Sequence, residues 1–251
     1  MLQDNFPTVA ELYSSLCEAI PSDLSLPWDN DGLMLSAAPD NHVKRVLFSL
    51  DVTLECVEYA KEIGADLIIT HHPLIFKAIK SITSPVYTEL IKNNISVMSF
   101  HTRLDIVDGG INDMLAKMLG LCDVQPFAEG AGRIGVLEYV WDFDDYKSSI
   151  SNILDAHNLR WAKGNDTSHV VAIVSGSGGD FAAEALDRGA DTFISGEIGY
   201  HTMLDLSQSG LNLISAGHYH TESHFYNYFK DYFDCKYPSL EYFVFNRTVN
   251  Y

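Results

Sequence analysis

The chain has 251 residues, long enough for one large domain or two smaller ones, and 47% hydrophobic residues exclude a disordered polymer. Its 34 acidic residues against 16 basic ones leave a net charge of −18. That is a poor match to a phosphate backbone, so nucleic acid is disfavoured as a partner.

Thr8 to Ile20 reads as an amphipathic helix, with Thr8 as N-cap, Glu11 three residues on, and Leu12, Leu16 and Ile20 at helical spacing. Pro21 ends it. Trp28-Asp29-Asn30-Asp31-Gly32 reads as a polar turn feeding an apolar strand to Leu35, and ordinary turn chemistry is favoured over a role for its carboxylates. Val43 to Leu50 is a strand, Thr53 to Ile63 a helix closed by Gly64, and Leu67 to Ile69 a short buried strand. That strand runs into His71-His72 before Pro73 stops it. A helix near Val86 to Lys92, a strand at Ile95 to Phe100 and a helix at Asn112 to Leu119 complete a first α/β domain, residues 1–128. Gly130 to Gly135 reads as the connector. The second domain, 129–251, opens with a strand at Val136 to Trp141 and a helix at Tyr146 to His157.

Val46 to His72 aligns without a gap on Val171 to Glu197, and each copy carries Gly-Ala-Asp (64–66 and 189–191) between its helix and its next strand. The strand after that leads to His101-x-x-x-Asp105 in one half and, from Leu211 to Gly217, to His218-x-x-x-Glu222 in the other. This is the pattern of an internal pseudo-duplication, with mainly parallel sheets flanked by helices.

In such sheets ligands bind outside the carboxyl ends of the strands, where His71 and His72 fall. Seven of the ten histidines (71, 72, 101, 201, 218, 220 and 224) follow strands expected to end at one sheet edge. No basic residue occurs between Arg188 and Lys230. Imidazoles and carboxylates gathered without Lys or Arg call for cations, and metal ions are the simplest supply; the alternative is that these histidines cap strands by hydrogen bonding, with Asp105 and Glu222 solvated. His218 and Glu222, four apart, converge if a helix from Tyr219 to Phe233 begins there. The Gly176-to-Gly179 loop could cradle an anion or make a tight turn, but it is not a P-loop. Tyr226, Tyr228, Phe229, Tyr232 and Phe233 form an aromatic stripe suited to core or subunit packing. The four dispersed cysteines suggest buried thiols in a reducing compartment, and no secretory signal or membrane-length apolar run is evident. A cytoplasmic protein is expected.

Trp-Asp-Asn-x-Gly-Leu at 28–33, Ile-Ile-Thr-His-His-Pro-Leu-Ile-Phe at 68–76, His-Thr-x-Leu-Asp at 101–105 with Gly-Gly-Ile-Asn-Asp at 109–113, and Gly-His-x-x-Thr-Glu at 217–222 occur in that order. Together they resemble the Nif-three-like dinuclear metal-centre family, often labelled GTP cyclohydrolase 1 type 2 homologs, in its compact bacterial form. The resemblance implies two interlinked α/β domains and a toroidal homohexamer. It implies two divalent metal ions per chain held by His71, His72, Asp105, His218 and Glu222, with the two carboxylates as bridges. It places His101 nearby as a substrate-contacting or proton-carrying group, and His220, a departure from the family pattern, as a further ligand or proton carrier. Zinc, iron or manganese suits such donors. A metal-dependent hydrolase of a small, nucleotide-like substrate is one expectation. A non-catalytic protein for metal storage, delivery or sensing, or an interaction scaffold, is the other.

Overall fold

The computed structural model of the protein describes residues 6–246, which form a mixed α/β fold of two sheets flanked by helices. Two compact units emerge, and they do not follow the expected division at 128. Described residues up to Val107 and from Phe225 onward form the first unit, and Asp108–His224 the second.

The first unit runs through α1 (Val9–Ala19), β1 (Gly32–Leu35), β2 (Arg45–Ser49), α2 (Leu54–Ile63), β3 (Leu67–Thr70), α3 (Pro85–Lys92), β4 (Ser96–Ser99) and the single turn α4 (Thr102–Ile106). Thr8 and Glu11 close the expected capping box on α1. The second unit comprises α5 (Ile111–Met118), β5 (Leu121–Phe127), β6 (Gly132–Asp142), α6 (Phe143–Ile153), β7 (Arg160–Ala162), β8 (Thr167–Val174), α7 (Ala182–Asp187), β9 (Thr192–Ser195), α8 (Tyr200–Gln208), β10 (Asn212–Ser215) and the short α9 (His218–Glu222). The chain then returns to the first unit as α10 (Tyr226–Lys236) and β11 (Glu241–Phe245).

That return is why a cut at 128 fails. β11 pairs in parallel with β2, and the first sheet has the order β1-β4-β3-β2-β11, parallel except at β1. α10 buries Phe229 and Phe233 against Phe48 of β2, with stacked rings 5.6 and 5.9 Å apart. The aromatic stripe is therefore core, and its burial ties the last helix to the first sheet. The expected single helix from Tyr219 to Phe233 is broken after Glu222 and resumes at Tyr226.

The second sheet, β5-β6-β8-β9-β10-β7, is mixed rather than mainly parallel. Only β8-β9-β10 are parallel, because β6 pairs antiparallel with both β5 and β8. Gly132 to Gly135 lies within β6, so the expected connector is a strand. Alternate residues of this sheet enter different cores: Val171, Ile173, Ile194 and Ile214 on one face, Ala172, Val174, Phe193 and Leu213 on the other. Both faces are covered, as the continuous apolar runs require.

The repeat holds at the level of register. Val46 pairs with Leu67, and Val171 with Thr192, each 125 residues further on. Asp66 accepts from the backbone N–H groups of Lys44 and Arg45, and Asp191 from those of His169 and Val170 at the same offset. Gly64 and Gly189 both take positive φ, 65° and 86°, at the helix end. Gly-Ala-Asp is thus a turn whose aspartate bolts the helix exit to the start of the preceding strand.

All four cysteines are free; Cys56 is buried, but Cys122 and Cys235 are exposed, contrary to the expectation of buried thiols throughout. No helix among the described residues is long and apolar enough to cross a membrane.

Candidate metal centre

The histidine-bearing strands do not share one edge. β3 and β4 belong to the first sheet, and β9 and β10 to the second.

In the first unit, β3 delivers His71 and His72 and β4 delivers His101. These three present ligand atoms within 4.8 Å of one another, so the set could hold a metal ion. Asp105, one turn into α4, brings Oδ1 to 3.8 Å from His71 Nε2. Every ring is oriented from behind. His71 Nδ1 lies 2.9 Å from the Phe100 carbonyl, His72 Nδ1 2.8 Å from Asp51 Oδ1, and His101 Nδ1 2.8 Å from Asp29 Oδ1. A carbonyl or ionised carboxylate can only accept, so each Nδ1 donates and each Nε2 of the neutral ring keeps its lone pair.

Sequence reasoning missed these anchors. Asp29 reads as a turn residue, yet its carboxylate also accepts from the Thr102 hydroxyl (2.6 Å) and backbone N–H (3.1 Å). Burial would raise the Asp29 pKa, but the hydrogen bonds from His101 and Thr102 outweigh it and hold the carboxyl down at about 2. Asp31 accepts from Arg103 Nε at 3.1 Å in a buried ion pair, with the His101 backbone N–H at 3.3 Å. Asp51 stands just past the end of β2, beside the end of β3.

In the second unit, His218 Nδ1 lies 2.9 Å from Glu197 Oε1, while its Nε2 lies 3.1 Å from Glu222 Oε2 one helical turn away. Glu222 is only 4% exposed. Ser177 donates to Glu197 at 2.8 Å. Burial would raise the Glu197 pKa, but the bonds from Ser177 and His218 lower it. With Nδ1 donating to Glu197, the Nε2 lone pair faces a buried carboxylate oxygen. Two lone pairs at that distance are stable only with a proton or a metal cation between them. His218 and Glu222 could therefore take part in holding a metal ion. Glu197 stands where His72 stands in the first copy, 125 residues earlier; that equivalence was the signal that could have found it.

The two His-x-x-x-acid motifs are not equivalent. Phe100 N–H bonds the Thr70 carbonyl, and Ala216 N–H the Ser195 carbonyl. His101 thus corresponds to Gly217, and His218 comes one residue later. The shift explains why Glu222 faces its own helix's histidine while Asp105 faces His71.

The Gly176-to-Gly179 loop is a seat for Glu222. The Gly176 amide donates to Thr221 Oγ1 and the Gly178 amide to Ser195 Oγ, both at 3.0 Å, so those groups are taken. Gly176 has φ +58°, and a Cβ there would fall 2.1 Å from Glu222 Oε1. His220 turns away: its Nδ1 donates to the Leu154 carbonyl at 3.1 Å. His224 Nε2 is bound to the Ile111 carbonyl at 3.1 Å, and His201 is exposed on α8.

An α/β protein with histidine–carboxylate clusters able to hold metal ions at the carboxyl ends of its parallel strands is the class this fold and site define. The chain belongs to the DUF34/NIF3 (NGG1p interacting factor 3) family, whose model matches residues 7–250. It is 38% identical over 215 residues to the "GTP cyclohydrolase 1 type 2 homolog" of Clostridium perfringens, covering 80% of this chain and 82% of that one. It is 34% identical to the protein so named from Streptococcus pneumoniae, over 84% of this chain and 83% of the relative. Among solved structures, the Staphylococcus aureus hypothetical protein SA1388 superposes with a TM-score of 0.89 at 26% identity, covering 97% of both chains. Reduced HcgD from Methanocaldococcus jannaschii superposes with a TM-score of 0.86, also at 26% identity, over 98% of this chain and all of the other.

Proposed function

We propose that this chain is a dinuclear metal-dependent hydrolase of a small, nucleotide-like substrate, with His71, His72, Asp105, His218 and Glu222 as its metal ligands. The observation that carries this reading is the common tautomer. All four proposed or adjoining histidines (71, 72, 101 and 218) donate through Nδ1 to a fixed oxygen and so offer Nε2. Zinc, iron or manganese suits these donors. Two such cations would supply Lewis acidity and a lowered pKa for water.

The chain's own groups do the rest. His101, partly exposed and held by Asp29, would take and return a proton at Nε2. His220 is a weaker candidate for that role, because its ring is turned to the Leu154 carbonyl. The nucleotide-like substrate rests on the name carried by the Clostridium and Streptococcus relatives. The toroidal homohexamer belongs to the same proposal. Exposed Tyr139, Val140 and Trp141 on β6, with Trp161 on β7, are apolar surface of the kind assembly covers.

The test is metal content per chain after purification without added metal, beside an Asp105→Ala variant, followed by a turnover screen on nucleotides and phosphoesters. About two ions in the wild type, fewer in the variant, and metal-dependent turnover are expected. Full loading without turnover on any of them would replace the hydrolase with metal storage, delivery or sensing. Failure to hold metal after reloading would end both readings.

A further inference from the structure

Three rings meet at the first unit's cluster. Trp28 lies edge-on to His101 (centroids 6.1 Å, 78°) and to Phe76 (6.2 Å, 65°), and Phe76 lies edge-on to His101 (6.4 Å, 89°). Trp28 is 59% exposed and Phe76 47% exposed, so neither serves the core. Large aromatic faces left in water lose favourable burial unless something covers them.

Both rings are nevertheless held. Asp29, next to Trp28, is fixed by His101 and Thr102, and the Leu26 amide donates to Thr102 Oγ1 at 3.0 Å. The Asn30 side-chain amide donates to the carbonyl of Ile75, beside Phe76, and so links the two ring-bearing loops. Tyr87 OH holds the Leu74 carbonyl at 3.1 Å. Exposed aromatics on cross-tied loops are preordered to receive a ligand, because their ordering entropy is already spent in the free protein.

We propose that Trp28 and Phe76 form a stacking platform for the flat ring of an aromatic heterocycle, whose polar end reaches the adjoining histidines. This rests on the hydrolase reading above and adds the part of the substrate that is recognised. A cationic ligand, the other guest of aromatic walls, is disfavoured because it would be repelled by metal ions at His71 and His72. A neutral or anionic ring meets no such repulsion.

The experiment is calorimetric titration of the full chain, metal content measured on the same samples, with GMP, UMP and ribose 5-phosphate as probes. The nucleotides should bind at least about ten-fold tighter than ribose 5-phosphate, which lacks the ring. Trp28→Ala and Phe76→Ala should each remove most of that advantage at unchanged metal content, and Trp28→Phe should restore part of it. Equal affinity for nucleotides and ribose 5-phosphate would overturn the platform, whatever the metal content. So would alanine variants that keep the preference, or that change only the oligomeric state; the last would make this face an interface between copies. Loss of metal in the wild type, with the ring preference intact, would count against the hydrolase reading and leave the platform standing.

Discussion

Gly176→Ala probes the seat of Glu222 with a single methyl group. The new Cβ would lie 2.1 Å from Oε1, 3.1 Å from Cδ and 3.3 Å from His218 Nε2. Reaching ordinary van der Waals distance requires the carboxylate to retreat by about 1.5 Å. That retreat breaks the 3.1 Å approach of Glu222 to His218. Alanine at positive φ adds a backbone penalty of about 1–2 kcal/mol. The control is Gly189→Ala, which has φ +86° and nothing within 4 Å of its Cβ, and so carries the strain without the collision. Gly189→Ala should lose about 1–2 kcal/mol in urea denaturation of metal-free protein, and Gly176→Ala at least as much. Only Gly176→Ala should weaken metal binding in calorimetry, by about 10–100-fold, as expected when a ligand's support is disturbed. Wild-type metal affinity in Gly176→Ala, or equal losses in both variants, would refute the claim that this loop positions Glu222.

Two further variants test the anchors. Asp31→Ala leaves the Arg103 guanidinium buried beneath the Phe100 ring without its carboxylate, and should cost about 3–5 kcal/mol in chemical denaturation. A loss comparable to that of an exposed pair such as Arg45–Glu241, about 0.2–1 kcal/mol, would show that the guanidinium finds water instead. Asp51→Ala removes the acceptor behind His72 Nδ1 and should lower metal affinity about 10–100-fold with little change in stability, since Asp51 is exposed. Unchanged affinity would mean that the His72 ring is held by its neighbours and not by the carboxylate.

Much was legible from the chain alone because it is written locally. Strand alternation, helix caps and the Gly-Ala-Asp turn depend on neighbours a few residues apart, and the ungapped repeat survives as identical strand register. The His71-His72 pair at a strand end, and Glu222 one turn beyond His218, follow from the same short-range rules. The tertiary structure decided whatever depends on distant partners. Asp29 orients His101 across 72 positions in the chain, and no local feature separates such an anchor from an ordinary turn aspartate. The unit boundary was hidden for the same reason. Phe229 and Phe233 read as an apolar helix face whatever they pack on, and only the pairing of β11 with β2 returns the end of the chain to the first sheet. Local sequence sets which face of an element is apolar; which distant surface covers it is settled by the burial that the whole chain can reach at once.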